Sequence, residues 1–367
     1  MSKNVKKRID IMHIYNGTQG SAGLYLDEIY HTLKKQGYNQ EIFVSYYYPF
    51  DYGNRIFFKK TDLAGGCKES VVRKYKRLLE AFKGYSLCLC YVFQHKPSII
   101  VFSSTLQRQV DAMFLIILRL LKTSKQKIVL TCHDILPNDR NKGFWDKCIM
   151  SVADYYITHN VASRNDLVKY YEVDKNRIVN HLFPLMNLNK IIKSSMSVDK
   201  IYDFAFIGFI SRRKGVSFLI DVWRLFHERY PFAKLLIAGK FLEEGYKSDE
   251  LISIGITIKN KYLTDEEYVG SIKSSRCIVL PYTAGTNSGV LSTLMSFDVP
   301  VICSDIDMFK LNPYVSESCL FRSGDNISLF KVLEKYYLGK CEKLGIDKYR
   351  EDFDSQVRMA YNKLLNL

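Results

Sequence analysis

The segment Pro281–Asp305, PYTAGTNSGVLSTLMSFDVPVICSD, decides the fold. It begins at the end of an apolar run, Cys277–Pro281 (CIVLP), that reads as a buried strand. A small polar loop, TAGTNSG, follows, and then a helical pattern over Gly289–Phe297. A second apolar run, Val301–Ser304 (VICS), closes the unit. Strand, tight loop, helix and strand in this order make a βαβ crossover, which implies a parallel sheet with a right-handed connection. In such sheets ligands bind at the carboxyl ends of strands. Thr286, Asn287, Ser288 and Gly289 stand there, at the helix start. Their hydroxyls and backbone N–H groups make an anion cradle without a Walker lysine.

The same rhythm extends toward the N-terminus. Tyr202–Ile207 (YDFAFI) reads as a strand, Val216–Glu228 as a helix, Lys234–Ala238 (KLLIA) as a strand ending at Gly239, and Ile254–Ile258 as a short strand. Between the first two lies Gly208–Gly215, GFISRRKG. Arg212, Arg213 and Lys214 sit where the helix dipole is already positive. An anion such as a diphosphate relieves that conflict; three solvated surface charges are the other reading. Further upstream, Arg8–Tyr15, Glu41–Tyr46, Ser98–Phe102, Lys127–Thr131 and Tyr155–Thr158 read as strands, with a helix over Leu24–Lys35. The glycine-rich loop Asn16–Gly23 (NGTQGSAG) joins the first strand to that helix, and Gly20, Ser21, Ala22 and Gly23 let a backbone approach a ligand closely. The pattern lapses into a polar linker, Pro184–Ser197, before restarting at Tyr202. The expected division is 1–193, 194–347 and a helical tail 348–367 that crosses back to the first domain.

Composition narrows the class. The 367 residues are 47% hydrophobic and 25% charged, which suits two packed cores and argues against bulk disorder. The longest apolar stretches, Tyr85–Phe93 and Ala112–Leu121, are too short to span a bilayer. The N-terminal MSKNVKKRIDIMHIY has no apolar run ahead of its first strand, so a cytoplasmic protein without a secretory signal is expected. The nine cysteines then read as reduced thiols. Of the net charge of +15, nearly all lies in residues 1–195, which hold 30 Lys and Arg against 16 Asp and Glu. A one-sided basic surface points to an anionic partner. The segment Lys68–Lys83 (KESVVRKYKRLLEAFK) puts Val71, Val72, Tyr75, Leu78, Leu79 and Phe82 on one helical face among Arg73, Lys74, Lys76, Arg77 and Lys83. Such a helix lies in the headgroups of an anionic membrane or covers its own sheet. No nucleic-acid-binding motif is present.

Five segments, in order, resemble the GT-B fold glycosyltransferases of family 4 and its relatives, the glycosyl transferases group 1. They are Lys35-Gln36-Gly37, the LTCHDILP around His133, ADYYITHN over 153–160, FIGFISRRKGVSFLIDVW over 206–223, and LPYTAGTNSGVLSTLMSFDVPVICSD over 280–305. The resemblance implies two Rossmann-like domains facing across a cleft. It implies retaining transfer from a nucleoside-diphosphate sugar, with a UDP-sugar expected, to a saccharide or lipid-linked acceptor in polysaccharide or glycolipid biosynthesis. It places His133 at the donor sugar as the catalytic residue, Gly20–Gly23 near the donor phosphates, and the diphosphate on Arg212, Arg213, Lys214 and Thr286–Gly289. Gly208, Gly239, Tyr282 and Thr293 become further nucleotide contacts. Protein cations and a helix end would stabilise the leaving group, so neither metal nor cofactor is expected. His159 and His181 are weaker candidates, having no partner recognisable in sequence.

The chain departs from the family at two glutamates separated by seven residues, whose positions fall on Gly285 and Thr293. It instead resembles a branch with a T-x-SGVL loop. The family arginine after the strand glycine falls at Phe209, with Arg212 or Arg213 as its replacement. Two other readings stay open: a catalytically silent subunit of a polysaccharide assembly complex, and a nucleotide-sugar epimerase. The basic N-terminal half fits a peripheral position at the inner face of an anionic membrane.

Overall fold

The structure, a computed structural model, describes residues 8–15, 21–45, 48–53, 55–58, 71–103, 108–133, 135, 143–190, 198–242, 248–285, 288–340 and 346–366. Gly20, Asp134, Thr286 and Asn287 lie outside the described residues, and so do the side chains of Ser21 and Ala22. The chain divides into two compact units, Met1–Pro184 with Asp352–Leu367, and Leu185–Glu351.

The first unit runs β1 (Ile11–Tyr15), α1 (Ser21–Lys35), β2 (Gln40–Ser45), β3 (Arg55–Phe58), α2 (Val71–His95), β4 (Ile99–Phe102), α3 (Arg108–Leu121), β5 (Lys127–Thr131), α4 (Phe144–Val152), β6 (Tyr155–Thr158), α5 (Val161–Tyr171) and β7 (Ile178–Asn180). Its strands form one sheet in the order β3-β2-β1-β4-β5-β6-β7, with every neighbouring pair parallel. The order reverses between β1 and β4, the topological switch point of a doubly wound sheet. One face packs Ile14, Phe102 and Leu130 against Tyr85 of α2, Phe114 and Leu118 of α3, and Ile149 of α4. The other face packs Tyr15 and Val44 against Leu26 and Tyr30 of α1. Burying each such side chain contributes about 1.5–3 kcal/mol.

Helix α2 is longer than its sequence pattern predicts. The apolar stretch from Tyr85 continues it to His95, with Ala81, Tyr85, Cys88 and Val92 buried at helical spacing. That is the face covering the sheet. Val72, Tyr75, Leu79 and Phe82, ahead of it, stand exposed. Neighbouring α3 repeats the feature: Phe114, Leu115 and Leu118 turn inward, while Met113, Ile116, Ile117, Leu120 and Leu121 are exposed.

The second unit runs β8 (Tyr202–Ile207), α6 (Val216–Arg229), β9 (Leu235–Ala238), α7 (Ser248–Ser253), β10 (Ile256–Lys259), α8 (Asp265–Lys273), β11 (Ser275–Leu280), α9 (Gly289–Ser296), β12 (Val301–Ser304), α10 (Asp307–Lys310), β13 (Leu320–Phe321) and α11 (Asn326–Tyr337). The sheet order is β10-β9-β8-β11-β12-β13, again parallel throughout. Trp223 of α6 is fully buried against Phe204 and Phe226, and its indole N–H donates to the Ile254 carbonyl at 2.8 Å. A last helix, α12 (Ile346–Asn366), carries the chain back into the first unit. There Val357, Tyr361 and Leu364 are buried, and Thr32 of α1 donates to Asp354 at 2.9 Å.

Candidate functional site

The carboxyl edge of the second sheet brings two sequence-distant loops together. After β8 the chain passes Gly208 and makes a single tight turn over Arg212–Lys214 before α6. Gly215 joins that turn to the helix in the left-handed region, with φ of +66°. A Cβ there would overlap the Pro281 carbonyl oxygen, so only glycine lets the basic turn rest on the end of β11. Thr283 completes the clamp, its backbone N–H and its hydroxyl both donating to the Arg213 carbonyl, at 2.9 and 3.2 Å.

This contact seats Lys214 on Tyr282. The ammonium lies 3.4 Å from the centre of a ring that is fully buried. A cation so placed is attracted to the ring face. Burial pushes the Tyr282 phenol well above its ordinary range, against the opposite pull of Ser288 and Arg213 beside it. Ser288 caps α9, its hydroxyl accepting the Leu291 N–H at 3.2 Å. Ser288, the cap of α9, and the two cations therefore meet around the Tyr282 ring. An ammonium, a guanidinium and a helix N-terminus are groups whose chemistry suits an anion. Arg213 also reaches Gly285, whose Cβ position would lie 3.7 Å from a guanidinium nitrogen.

The remaining nucleotide-side residues have different surroundings. Gly239 lies against Gly208, where a Cβ would overlap the Gly208 carbonyl. Thr293 is buried, and its hydroxyl donates back to the Gly289 carbonyl at 2.8 Å. Beyond the ends of β8 and β10, the exposed rings of Phe209 and Tyr262 meet edge to face at 5.7 Å, an aromatic pair that the sequence reading passed over. Lys310 of α10 lines an open depression of about 440 Å³ shared with Asp305, Glu317, Arg322, Asp325 and Lys331. Its three cations face three carboxylates, so it lacks the one-sided charge of the Lys214 site. Among the described residues no cluster of three His, Cys, Asp or Glu could hold a metal ion.

In the first unit, His133 is not alone. His159 stacks on it at 5.2 Å, and Tyr25 of α1 meets its ring edge to face at 4.6 Å. His181 lies 5.1 Å from His159. Both His159 and His181 thus have the partners that the sequence failed to reveal. Burial is the chief reason that the His133 and His181 imidazoles are lowered to about 4, and that His159 lies well below its ordinary value. The signal was available: each histidine follows a strand, one or two residues past its end. Gly23, the described end of the glycine-rich loop, packs under Pro49, with its Cβ position 3.2 Å from the proline ring.

Residues 202–336 match the family of glycosyl transferases group 1. No curated protein matches the chain in sequence. Among solved structures, the chain is similar to sucrose-phosphate synthase from Thermosynechococcus elongatus, at 14% identity over 98% of this chain and 95% of that one, with a TM-score of 0.58. It is similar to the lipopolysaccharide outer core galactosyltransferase WaaB, at 15% identity over 98% of both chains, with a TM-score of 0.59. Anabaena HepE, solved in complex with UDP and glucose, is a third: 13% identity over 98% and 96%, with a TM-score of 0.59. At such identities these likenesses carry the fold, which is GT-B. The match to the glycosyl transferases group 1 lies within the second unit, and the fold of the whole chain is GT-B.

Proposed function

We propose that the chain moves a sugar from a nucleoside-diphosphate sugar, a UDP-sugar, to a hydroxyl of a saccharide or lipid-linked acceptor, with retention of configuration. The observation that carries this reading is Lys214 held on Tyr282 beside the capped start of α9. Charge grows on the diphosphate as the glycosidic bond breaks, and preorganised cations and N–H groups stabilise that charge most where it develops. Lys214 and Arg213, joined by Arg212, and the amides of Ser288 and Gly289 take that part. Thr286 and Asn287 belong to the same loop by sequence. The exposed rings of Phe209 and Tyr262 offer flat surfaces for the base. HepE bound to UDP and glucose, in the same fold, supports the donor assignment. His133 serves the sugar as an uncharged hydrogen-bonding imidazole.

The acceptor side belongs to the first unit. Its excess of basic residues fits an acceptor carried on a membrane lipid diphosphate, as in polysaccharide or glycolipid assembly. The exposed apolar residues of α2 and α3 among lysines fit a peripheral position on an anionic membrane. No described helix is long and apolar enough to cross one. A second reading, a catalytically silent subunit, draws support from Gly285 and Thr293, which place no carboxylate in the α9 loop.

The test is titration of UDP into wild type and Lys214→Ala. One charge-assisted contact to a phosphate contributes roughly 1.5–3 kcal/mol, so the variant should bind about tenfold to a hundredfold more weakly. Equal affinities would remove Lys214 from the site. Wild type that binds UDP yet turns over none of a panel of UDP-sugars is the result that favours the silent reading.

A further inference from the structure

The carboxyl edge of the first sheet is polar along four adjacent strands. Ser103, His133, His159 and His181 follow the ends of β4, β5, β6 and β7. The register sets them side by side: Thr131 pairs with Ile157, and Thr158 with Asn180. Neighbouring strands lie roughly 4.8 Å apart, and the ring separations of 5.2 and 5.1 Å repeat that spacing. His133 and His159 are nearly parallel, 23° between planes. Tyr25 touches all three rings, at 4.6, 5.2 and 6.4 Å. Phe183 packs beside Tyr25 at 5.4 Å, and lies 5.1 Å from His159 and 5.9 Å from His133.

The hydrogen bonds are equally ordered. A ring N–H of His133 donates to the Ser103 backbone. His159 Nδ1 lies 3.4 Å from the His181 carbonyl, and His181 Nδ1 lies 2.8 Å from that of Leu182. His159 Nε2 is buried with no hydrogen-bond partner among the described groups. Two buried imidazoles beside the half-buried His133, one of them with an unsatisfied nitrogen, cost stability that apolar side chains at the same places would not. That cost calls for a function.

We propose that His159 and His181 are positioning residues: with Tyr25 and Ser103 they fix the orientation and tautomer of the His133 ring for contact with a sugar hydroxyl. The inference rests on the reading that puts His133 at the sugar. With one N–H committed to Ser103, a neutral imidazole carries its lone pair on the other nitrogen. The stacked ring of His159 keeps that nitrogen from turning away. Among the described residues, the titratable groups facing the row are Tyr25, Tyr361 of α12, Cys132 and the histidines themselves. Burial raises both phenols and pushes the Cys132 thiol up to about 12. None of them is charged near neutrality, so the ring stays neutral while its neighbours hold it.

The test uses the full chain. Imidazole ¹⁵N spectra at pH 7 should show His133 as one neutral tautomer. His159→Leu keeps bulk but removes the ring; it should mix the tautomers and lower kcat on UDP-glucose or UDP-galactose about tenfold, with UDP affinity unchanged. His159→Phe restores a stacking ring and should recover both readouts to within about threefold. The proposal is overturned if His159→Leu, folded by thermal melting, leaves tautomer and kcat as they were, or if Phe is as damaging as Leu. Wild type with mixed or protonated His133 overturns it without any variant. If His133→Ala turns over normally, the assignment of His133 to the sugar fails, and the spectra still decide whether His159 positions it.

Discussion

The two sheets share a topology and differ at their carboxyl edges. The first unit ends β5, β6 and β7 in histidines, packed around Tyr25 and uncharged. The second unit ends β8 and β9 in glycines, and sets Arg213 and Lys214 against the end of β11. One edge suits neutral hydroxyls and the other suits a phosphate. The doubly wound fold decides where a ligand meets the chain, and the few residues past each strand decide its chemistry.

Acid should separate the two units most strongly. Burial lowers His13, His133 and His181 to about 4 in the folded chain, and holds His159 well below the ordinary 6.5. All four lie in the first unit. Their folded values are depressed, so their contribution is present above about pH 6.5 and is lost as pH falls toward 4, where the unfolded chain takes up protons that the folded one refuses. Each costs about 1.4 kcal/mol per pH unit, and the four together about 5.5 kcal/mol per pH unit. A domain has roughly 5–15 kcal/mol in all, so the first unit should unfold between about pH 6 and pH 4. Trp145 and Trp223 are the two tryptophans of the chain, one in each unit. In Trp145→Phe the remaining fluorescence reports the second unit and should change at lower pH than circular dichroism of the whole. Coincident transitions would erase the distinction.

A glycine in each unit sharpens the comparison at intermediate size. Gly215→Ala forces a methyl into the Pro281 carbonyl at a φ of +66°, with nothing flexible to yield. Backbone strain and the clash together should cost the second unit about 3 kcal/mol, and UDP affinity should fall with it. Gly37→Ala, at φ +86° with no atom within 4 Å, has strain but no clash. It should cost the first unit about 1 kcal/mol. Denaturant melts of both variants measure the gap. Equal losses would mean that the seat of the basic turn on β11 is unimportant.

The parts of this molecule that were legible in sequence are those where pattern and length agree. Strands β5, β6, β8 and β12 stand where the apolar runs place them. β7 and β13, of three and two residues, are too short for any periodicity to register. Tyr85–Phe93 is apolar enough to resemble a strand, and only its helical spacing of Tyr85, Cys88 and Val92 against the sheet reveals α2. The proposed anion site was legible as two motifs, GFISRRKG and TAGTNSG, because cations before a helix and small residues at a helix start are local signals. Their meeting through Gly215 and Pro281 is a tertiary fact about residues 66 positions apart. The histidine row was legible only in part, as single histidines past strand ends. His159 and His181 become partners of His133 only once β5, β6 and β7 lie side by side.

The smallest effect concerns the outer faces. Residues 1–195 carry nearly all the excess positive charge. In that unit α2 and α3 turn Tyr75, Leu79, Phe82, Ile117 and Leu120 to solvent, with Lys76 and Lys83 exposed among them. Apolar side chains ringed by lysine match an anionic headgroup layer, which attracts cations and accepts rings and aliphatic chains a few ångströms deep. Each lysine close to such a surface contributes on the order of 1 kcal/mol. Lys76→Gln should therefore weaken binding to vesicles containing phosphatidylserine about fivefold, and leave UDP affinity unchanged. The preference should fade at high salt, since exposed charges are screened over about 8–10 Å at physiological ionic strength and over less as salt rises. Leu79→Ser should reduce binding to anionic vesicles without altering the salt dependence, because it removes buried area and not charge. Co-sedimentation with neutral and anionic vesicles at two salt concentrations separates these terms. If wild type binds neither vesicle, the apolar faces of α2 and α3 have a different partner, and the basic half answers to the acceptor alone.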